Sequence, residues 1–129
     1  MKLLVAILLV VVTITRAYGA EPEIGFVTEL DGIGQIKREN ETVGNSTGTS
    51  IQQMDEASTK KGRMRIDFVD ETRLDVVDHS KIIIDEFVYD PATGKGSLDI
   101  RASLGAVRYA SGQIAKTSRQ KVRLRTPTA

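Results

Sequence analysis

The chain has 129 residues, enough for one domain, and its 18 basic and 17 acidic residues give a formal net charge of +1. It has no cysteine, which excludes disulfides, thiolate metal sites and lipid-modified cysteine. Tryptophan is also absent and aromatic residues make up 5% of the chain, so a base-stacking nucleic-acid surface or an aromatic-lined sugar cleft is disfavoured.

The first residues have the pattern of a secretory signal peptide. Lys2 is followed by an apolar run over residues 3–14, and a short positive start before such a run is typical of export signals. Ala17 and Gly19 supply small residues two positions apart, as a signal peptidase requires. We therefore predict a signal peptide over residues 1–19, cleaved after Gly19 or, as second choice, after Ala20.

An uncleaved membrane anchor is the alternative for this segment. A membrane-spanning helix needs about 20 apolar residues, and Arg16 ends the apolar run before that length. Removing Lys2 and Arg16 from the 18 basic residues leaves 16 against 17 acidic ones. This balance predicts no global attraction to nucleic acid or acidic membranes. Cleavage would make the protein periplasmic or secreted, and the lack of cysteine suits an oxidising periplasm.

The mature chain begins with two predicted strands, residues 24–30 and 33–38. Asp31-Gly32 lies between them, and this dipeptide is typical of a hairpin turn. Residues 39–50 are rich in Asn, Thr, Ser and Gly, which predicts an exposed loop with a short edge strand at its start. Residues 51–61 are polar and fit either one helical turn or a loop.

The rest of the chain alternates apolar and polar residues between frequent turns. Period two is the signature of β-strands, whose successive side chains point to opposite faces. The apolar run Ile82-Ile83-Ile84 predicts a strand that is buried on both faces or crosses between sheets. Residues 113–120 are ambiguous. The predicted strands are residues 63–69, 72–77, 81–89, 97–101, 104–109 and 121–125.

These elements predict an all-β fold, a jelly-roll-like sandwich of about nine short strands following the signal peptide. No segment carries an apolar stripe of period 3.6 over more than two turns, which disfavours an α/β fold. Gly62, Gly105 and Gly112 fall at predicted bends, where a residue without a Cβ permits tight turns.

An ordered set of motifs in the later half resembles the closing blocks of the FecR domain family. The motifs are Phe87-Val-Tyr-Asp-Pro-Ala-Thr-Gly-Lys-Gly-Ser-Leu98, Leu104-Gly-Ala-Val-Arg-Tyr-Ala-Ser-Gly112, Ile114-Ala-Lys116 and Arg125-Thr-Pro-Thr-Ala129. Together with the block that starts at Gly62-Arg63, the resemblance covers about residues 24–129. It implies a periplasmic all-β domain that resembles a jelly roll.

The chain departs from that family in two places. Signalling members carry a cytoplasmic helical region and a membrane span before the domain, where this chain has the predicted signal peptide. The family's domain also continues past the Thr-Pro block into another strand. We therefore expect a FecR-like domain over residues 20–129 that lacks its last strand, with residues 121–125 at or near an open sheet edge.

The resemblance implies an exported, non-enzymatic binding or interaction module of the bacterial cell envelope. The alternative is a sensor or regulatory module of iron-responsive transmembrane signalling whose membrane helix is lost or wrongly assigned. Retention of residues 1–19 in the mature protein would favour this alternative. A hydrolase or a metal-dependent enzyme is the third hypothesis. We predict no catalytic, cofactor-binding or metal-binding residues and no cofactor.

Two clusters contain residue types found in enzymes. Asp78-His79-Ser80 contains the residue types of a hydrolytic triad, but neighbours on one turn do not converge as a triad requires, so we interpret it as a turn. Asp67, Asp70, Glu71, Asp75 and Asp78 include oxygen ligands suited to Ca²⁺, although their spacing matches no calcium loop. Pairing of these acids across strands is the simpler interpretation, with Arg63, Arg65 and Arg73.

The C-terminal third is locally cationic, because Asp99 is the last acidic residue. This run predicts a docking surface for an envelope protein or an acidic envelope polymer; the alternative is an outer strand face kept soluble by charge. Thr93-Gly94-Lys95-Gly96 lacks the spacing of a phosphate loop. The basic residues of the predicted surface are Arg101, Arg108, Lys116, Arg119, Lys121, Arg123 and Arg125.

Overall fold

The computed structural model describes residues 22–126. The predicted signal peptide over residues 1–19 and both predicted cleavage positions, after Gly19 and after Ala20, lie outside the described residues. The last three residues of the Thr-Pro block also lie outside them.

Over residues 22–126 the fold is all-β, as the sequence predicted, with nine strands and almost no helix. One short helix, α1 (Gln113–Thr117), and a 3-10 helix (Arg119–Lys121) precede the last strand. The strands are β1 (Gly25–Arg38), β2 (Glu41–Gly44), β3 (Ser50–Ile51), β4 (Glu56–Phe68), β5 (Arg73–Val76), β6 (Lys81–Tyr89), β7 (Gly96–Leu104), β8 (Val107–Ala110) and β9 (Val122–Arg125).

Two long strands, β1 and β4, run through the whole sheet. They pair antiparallel from Gly25 opposite Phe68 to Lys37 opposite Glu56. The other side of β4 is shared, because β5 pairs with its C-terminal part and β6 with its N-terminal part. The sheet therefore has two halves, β3-β1-β4-β5-β8 and β2-β1-β4-β6-β7-β9, joined through β1 and β4.

The hairpin predicted at Asp31-Gly32 is wrong, because β1 continues through these residues. Gly32 lies opposite Gly62 of β4, and their φ angles are +95° and +98°. Left-handed backbone of this kind favours glycine. The pairing register also shifts after Ile33, which is the mark of a bulge. The glycine conformation thus serves a bend that both strands make together.

A single core takes apolar side chains from strands of both halves. Phe68 of β4 stacks on Phe87 of β6 with ring centroids 5.3 Å apart, a favourable arrangement for aromatic pairs. Ile82 and Ile84 are fully buried, whereas Ile83 between them is half-buried. The predicted run therefore keeps the alternation of a strand, with partial cover on its outer face.

The segment 51–61 is neither a helical turn nor a loop in its second half, since β4 begins at Glu56. Its inward positions carry Ala57 and Thr59, which are small or polar but buried. The Thr59 hydroxyl donates to the Val77 carbonyl at 2.9 Å and accepts from the Ser80 amide at 3.2 Å. These bonds satisfy the buried hydroxyl, so a polar residue is tolerated in a core position.

Three further boundaries differ from the prediction or complete it. The exposed segment 39–50 contains β2 and the first residue of β3. The break between the two strands predicted at 97–101 and 104–109 lies at Gly105, whose φ is +78°, so β7 continues to Leu104. The ambiguous segment 113–120 forms α1 and most of the 3-10 helix.

Candidate interaction surface

The seven basic residues of the predicted surface lie on five elements. The connection through α1 and the 3-10 helix carries the chain from β8, in one half, to β9, in the other. Arg101 is on β7, Arg108 on β8, Lys116 on α1, Arg119 and Lys121 on the 3-10 helix, and Arg123 and Arg125 on β9.

Two of the seven, Arg101 and Arg125, are bound to carboxylates. They are opposite each other in the parallel pairing of β7 with β9. Arg125 Nη2 lies 2.6 Å from Asp85 Oδ2, and its Nε lies 3.0 Å from Asp99 Oδ1. Arg101 Nε lies 3.5 Å from the same Asp85 oxygen. This network joins β6, β7 and β9 and neutralises both cations.

Arg108 and Arg123 are exposed and have acids as strand neighbours. Arg108 is opposite Asp75 in the β5–β8 pairing, and Arg123 is opposite Asp99 in the β7–β9 pairing. Neither arginine forms an ion pair within residues 22–126. The surroundings of these two arginines are therefore of mixed charge.

The remaining three, Lys116, Arg119 and Lys121, line one groove together with Lys95. We call this groove of about 470 Å³ the basic groove. Its other lining residues are neutral and polar, and none of the four cations forms an ion pair in the described part of the chain. The basic groove is therefore a local concentration of positive charge without a carboxylate in its lining.

Lys95 was missed by the sequence analysis, because it precedes the run that begins after Asp99. Two hydrogen bonds bring its turn to the end of α1. Thr117 Oγ1 donates to the Gly94 carbonyl at 2.5 Å, and the Gly96 amide donates to Ser118 Oγ at 3.3 Å. The only local signal was a lysine between two glycines, which is common in exposed turns.

A buried acid holds α1 in place. Asp70 is fully buried, and its carboxylate accepts from the Ile114 amide at 3.2 Å and from the Thr72 hydroxyl at 2.8 Å. Its own carbonyl accepts from the Gln113 amide at 2.7 Å. Ile114, also fully buried, inserts into the core. Asp70 is thus a structural anchor of the segment that carries Lys116.

A second cavity of about 680 Å³ adjoins the basic groove and shares Lys116 and Arg119 with it. Tyr109 and Ser111 line this cavity from the β8 side. The Tyr109 hydroxyl is buried and has no hydrogen-bond partner among residues 22–126. Burial raises the pKa of Tyr109, and the charge of Asp70 raises it further.

Asp78-His79-Ser80 forms a turn whose polar groups bond to the backbone. Ser80 is buried, and its Oγ accepts from the Ala106 amide at 2.9 Å. The Asp78 carboxylate accepts from the Gly62 amide. His79 is exposed with a φ of +51°. The Asp78 and Ser80 side chains therefore bind the backbone around the turn, while the His79 side chain is exposed to solvent.

The clustered acids bind arginines or the backbone, except Glu71, which accepts a hydrogen bond from the Gln113 side chain at 3.0 Å. Asp75 binds Arg65 at 2.8 Å and Asp67 binds Arg73 at 2.8 Å, which confirms the predicted cross-strand pairing for these two arginines. Arg63 binds Glu29 at 3.3 Å instead. The hydrogen bond from Arg65 lowers the pKa of Asp75. Within residues 22–126 no three acidic or histidine side chains are grouped as a metal ion would require.

No protein-family model, curated protein or solved structure matches the chain. Among the described residues, no helix has both the length and the apolar character needed to cross a membrane.

Proposed function

We propose that the chain is an exported, non-enzymatic binding module of the bacterial cell envelope, of the FecR-domain type. The supports are the N-terminal export pattern, the all-β fold and the ordered motifs of the later half. On this proposal the module recognises an acidic envelope protein or polymer through its basic surface. Arg101 and Arg125 hold β9 in place, and the other basic residues are available to a partner.

The observation that carries the proposal is the lining of the basic groove. Like charges repel, so gathering four cations without a carboxylate costs folding energy unless solvent and salt screen them. An acidic partner relieves this repulsion and is attracted by the local field. A solvated strand face would instead intersperse both signs, as the Arg101–Asp85–Arg125 network does.

The experiment compares two charge reversals of equal size. The full chain is expressed in a bacterium, recovered from the envelope fraction, immobilised and exposed to envelope extract at increasing salt. Lys116→Glu/Lys121→Glu changes two cations of the basic groove. Lys60→Glu/Lys61→Glu changes two exposed cations of β4, at the bend, by the same total charge.

We expect the wild type and the β4 variant to retain an acidic component that salt releases, and the groove variant to lose it. Equal retention by both variants, or no salt-sensitive retention by the wild type, would contradict the proposal. Intact mass of the recovered chain tests export separately. A mass that includes residues 1–19 would favour the membrane-retained regulatory alternative.

A further inference from the structure

We propose that the basic groove binds a phosphate group carried by a glycan. This inference rests on the proposed function and names the chemistry of its acidic partner. The four cations come from two separate segments, the turn that contains Lys95 and the α1–3-10 connection. The phosphate would lie among Lys95, Lys116, Arg119 and Lys121.

The groove is built by the fold rather than by a run of sequence. Thr117 and Ser118 fasten the Gly94–Gly96 backbone to the end of α1, and Asp70 fastens the start of α1 to the β4–β5 turn. Lys95 is 21 positions before Lys116 in the chain, yet both line the same groove. The backbone positions that carry the four cations are therefore set before any ligand arrives, which reduces the ordering cost of binding.

Phosphate fits this lining better than a carboxylate does. Three of the four cations are lysines, which act as compact point charges, and one is an arginine able to make two parallel hydrogen bonds. A phosphate monoester carries close to two negative charges at neutral pH and offers three terminal acceptor oxygens. A single carboxylate would leave most of the four cations uncompensated.

The neighbouring cavity indicates what carries the phosphate. Lys116 and Arg119 form the boundary between the two spaces, and Tyr109 and Ser111 line the second one. A sugar attached to the phosphate can extend there, held by its phosphate rather than by stacking on several aromatic rings. A lipid bilayer fits less well, because membrane-docking surfaces combine cations with a large apolar face. The basic groove is lined by polar residues alone, and the neighbouring cavity adds only the half-buried Ala115 and Val122 as aliphatic side chains.

The test adds four probes to the full chain: glucose 6-phosphate, inorganic phosphate, glucose and vesicles that contain phosphatidic acid. Calorimetry and amide NMR measure binding. A second pair of variants is used here: Lys95→Gln/Lys116→Gln removes two cations of the basic groove, and Lys60→Gln/Lys61→Gln is the matched control on β4. We expect glucose 6-phosphate to bind more tightly than inorganic phosphate, glucose not to bind, and added salt to weaken binding. Lys95→Gln/Lys116→Gln should bind glucose 6-phosphate at least roughly tenfold more weakly than the wild type, and Lys60→Gln/Lys61→Gln should bind it as tightly as the wild type.

Other outcomes separate this inference from the proposed function. If the wild type retains its acidic envelope component but no phosphate probe perturbs the amides of residues 94–96 and 113–121, the phosphate site is wrong and the proposed function stands. Equal affinity for glucose 6-phosphate in both variants also overturns the site. Tighter binding to phosphatidic acid vesicles than to glucose 6-phosphate would replace the glycan with a membrane. If the wild type neither retains an acidic envelope component nor binds a phosphate probe, both proposals are wrong.

Discussion

Gly32 of β1 and Gly62 of β4 lie opposite each other in the antiparallel pair. The Lys61 carbonyl lies against Gly32, and the Asp31 carbonyl lies against Gly62. A Cβ on Gly32 would overlap the Lys61 carbonyl, and a Cβ on Gly62 would overlap the Asp31 carbonyl. Both residues also have positive φ. The two strands therefore bend at the same pair of opposite residues, and the bend needs glycine in both strands.

Replacing either glycine of this pair should destabilise the fold strongly. We expect Gly32→Ala or Gly62→Ala to lower the free energy of unfolding by at least about 3 kcal/mol, because φ strain and steric overlap add. Gly48→Ala is the matched control. Gly48 has a φ of +93° but open space around its Cα, so it should lose only about 1–2 kcal/mol. Urea denaturation measures all three, and equal losses would contradict the overlap.

Arg38 and Asp55 form a bidentate ion pair, and the carboxylate of Asp55 is fully buried. Arg38 Nε and Nη2 lie 2.9 and 2.8 Å from the two Asp55 oxygens, and the Gln52 amide donates to the second oxygen at 2.8 Å. Arg38→Ala leaves the carboxylate buried without its cation, so we expect a loss of about 3 kcal/mol in unfolding free energy.

Arg38→Lys keeps the charge but not the bidentate geometry, so the free energy of unfolding should fall by about 1 kcal/mol. Arg123→Ala removes an exposed arginine outside any ion pair and should change stability by less than about 0.5 kcal/mol. Thermal and urea unfolding compare the three variants. If Arg38→Ala proves as mild as Arg123→Ala, the pair does not stabilise the fold.

Acid should weaken the fold partly through Asp75. The hydrogen bond from Arg65 lowers the pKa of Asp75 in the folded state. Its stabilisation is therefore complete above the unfolded-state pKa of about 3.9 and is lost as the pH falls through the folded-state pKa. The difference in unfolding free energy between wild type and Asp75→Asn should shrink as the pH is lowered below about 4. If the unfolding free energies of the wild type and of Asp75→Asn keep a constant difference as the pH is lowered, the contribution assigned to Asp75 is wrong.

Tyr109 should show the opposite dependence at alkaline pH. Its pKa is raised by burial and by Asp70, so its contribution is present below the unfolded-state pKa of about 10 and is lost as the pH rises through the folded-state value. Tyr109→Phe removes a buried hydroxyl without a partner, and stability at neutral pH should stay equal or rise by up to about 1 kcal/mol. Measured by urea unfolding, the free energy of unfolding of Tyr109→Phe should also fall less at alkaline pH than that of the wild type. A clear loss of stability at neutral pH would show that the hydroxyl is bonded.

The sequence predicted the strands whose inward positions are large and apolar. Met64, Ile66 and Phe68 alternate clearly, and the strand through them was found. The first part of β4 was missed because Ala57 and Thr59 occupy its inward positions, and such residues give no apolar alternation. Asp31-Gly32 predicts a hairpin, whereas the structure has a bend there, because the partner of Gly32 is Gly62, which is distant in sequence. A local pattern does not distinguish a chain reversal from a bend shared with a distant strand.

The candidate surface was foreseen in part, for a similar reason. The run of cations after Asp99 is visible in the sequence, and Lys116, Arg119 and Lys121 belong to it. The sequence does not show that Arg125 binds Asp85 and Asp99, since this depends on the parallel register of β7 with β9. Nor does it show that Lys95 joins the others, because that depends on hydrogen bonds from Thr117 and Ser118.

Because β1 and β4 each run through both halves of the sheet, neither half is a separate module. A partial opening of one half would have to break the ladder of a strand that the other half also uses. Native-state hydrogen exchange should therefore find one cooperative unit, with amides of Val27 and Ile36 opening together despite lying on opposite sides of the bend. The basic groove is carried by connections at the end of that unit, so a ligand could tighten the groove without having to reshape the sheet.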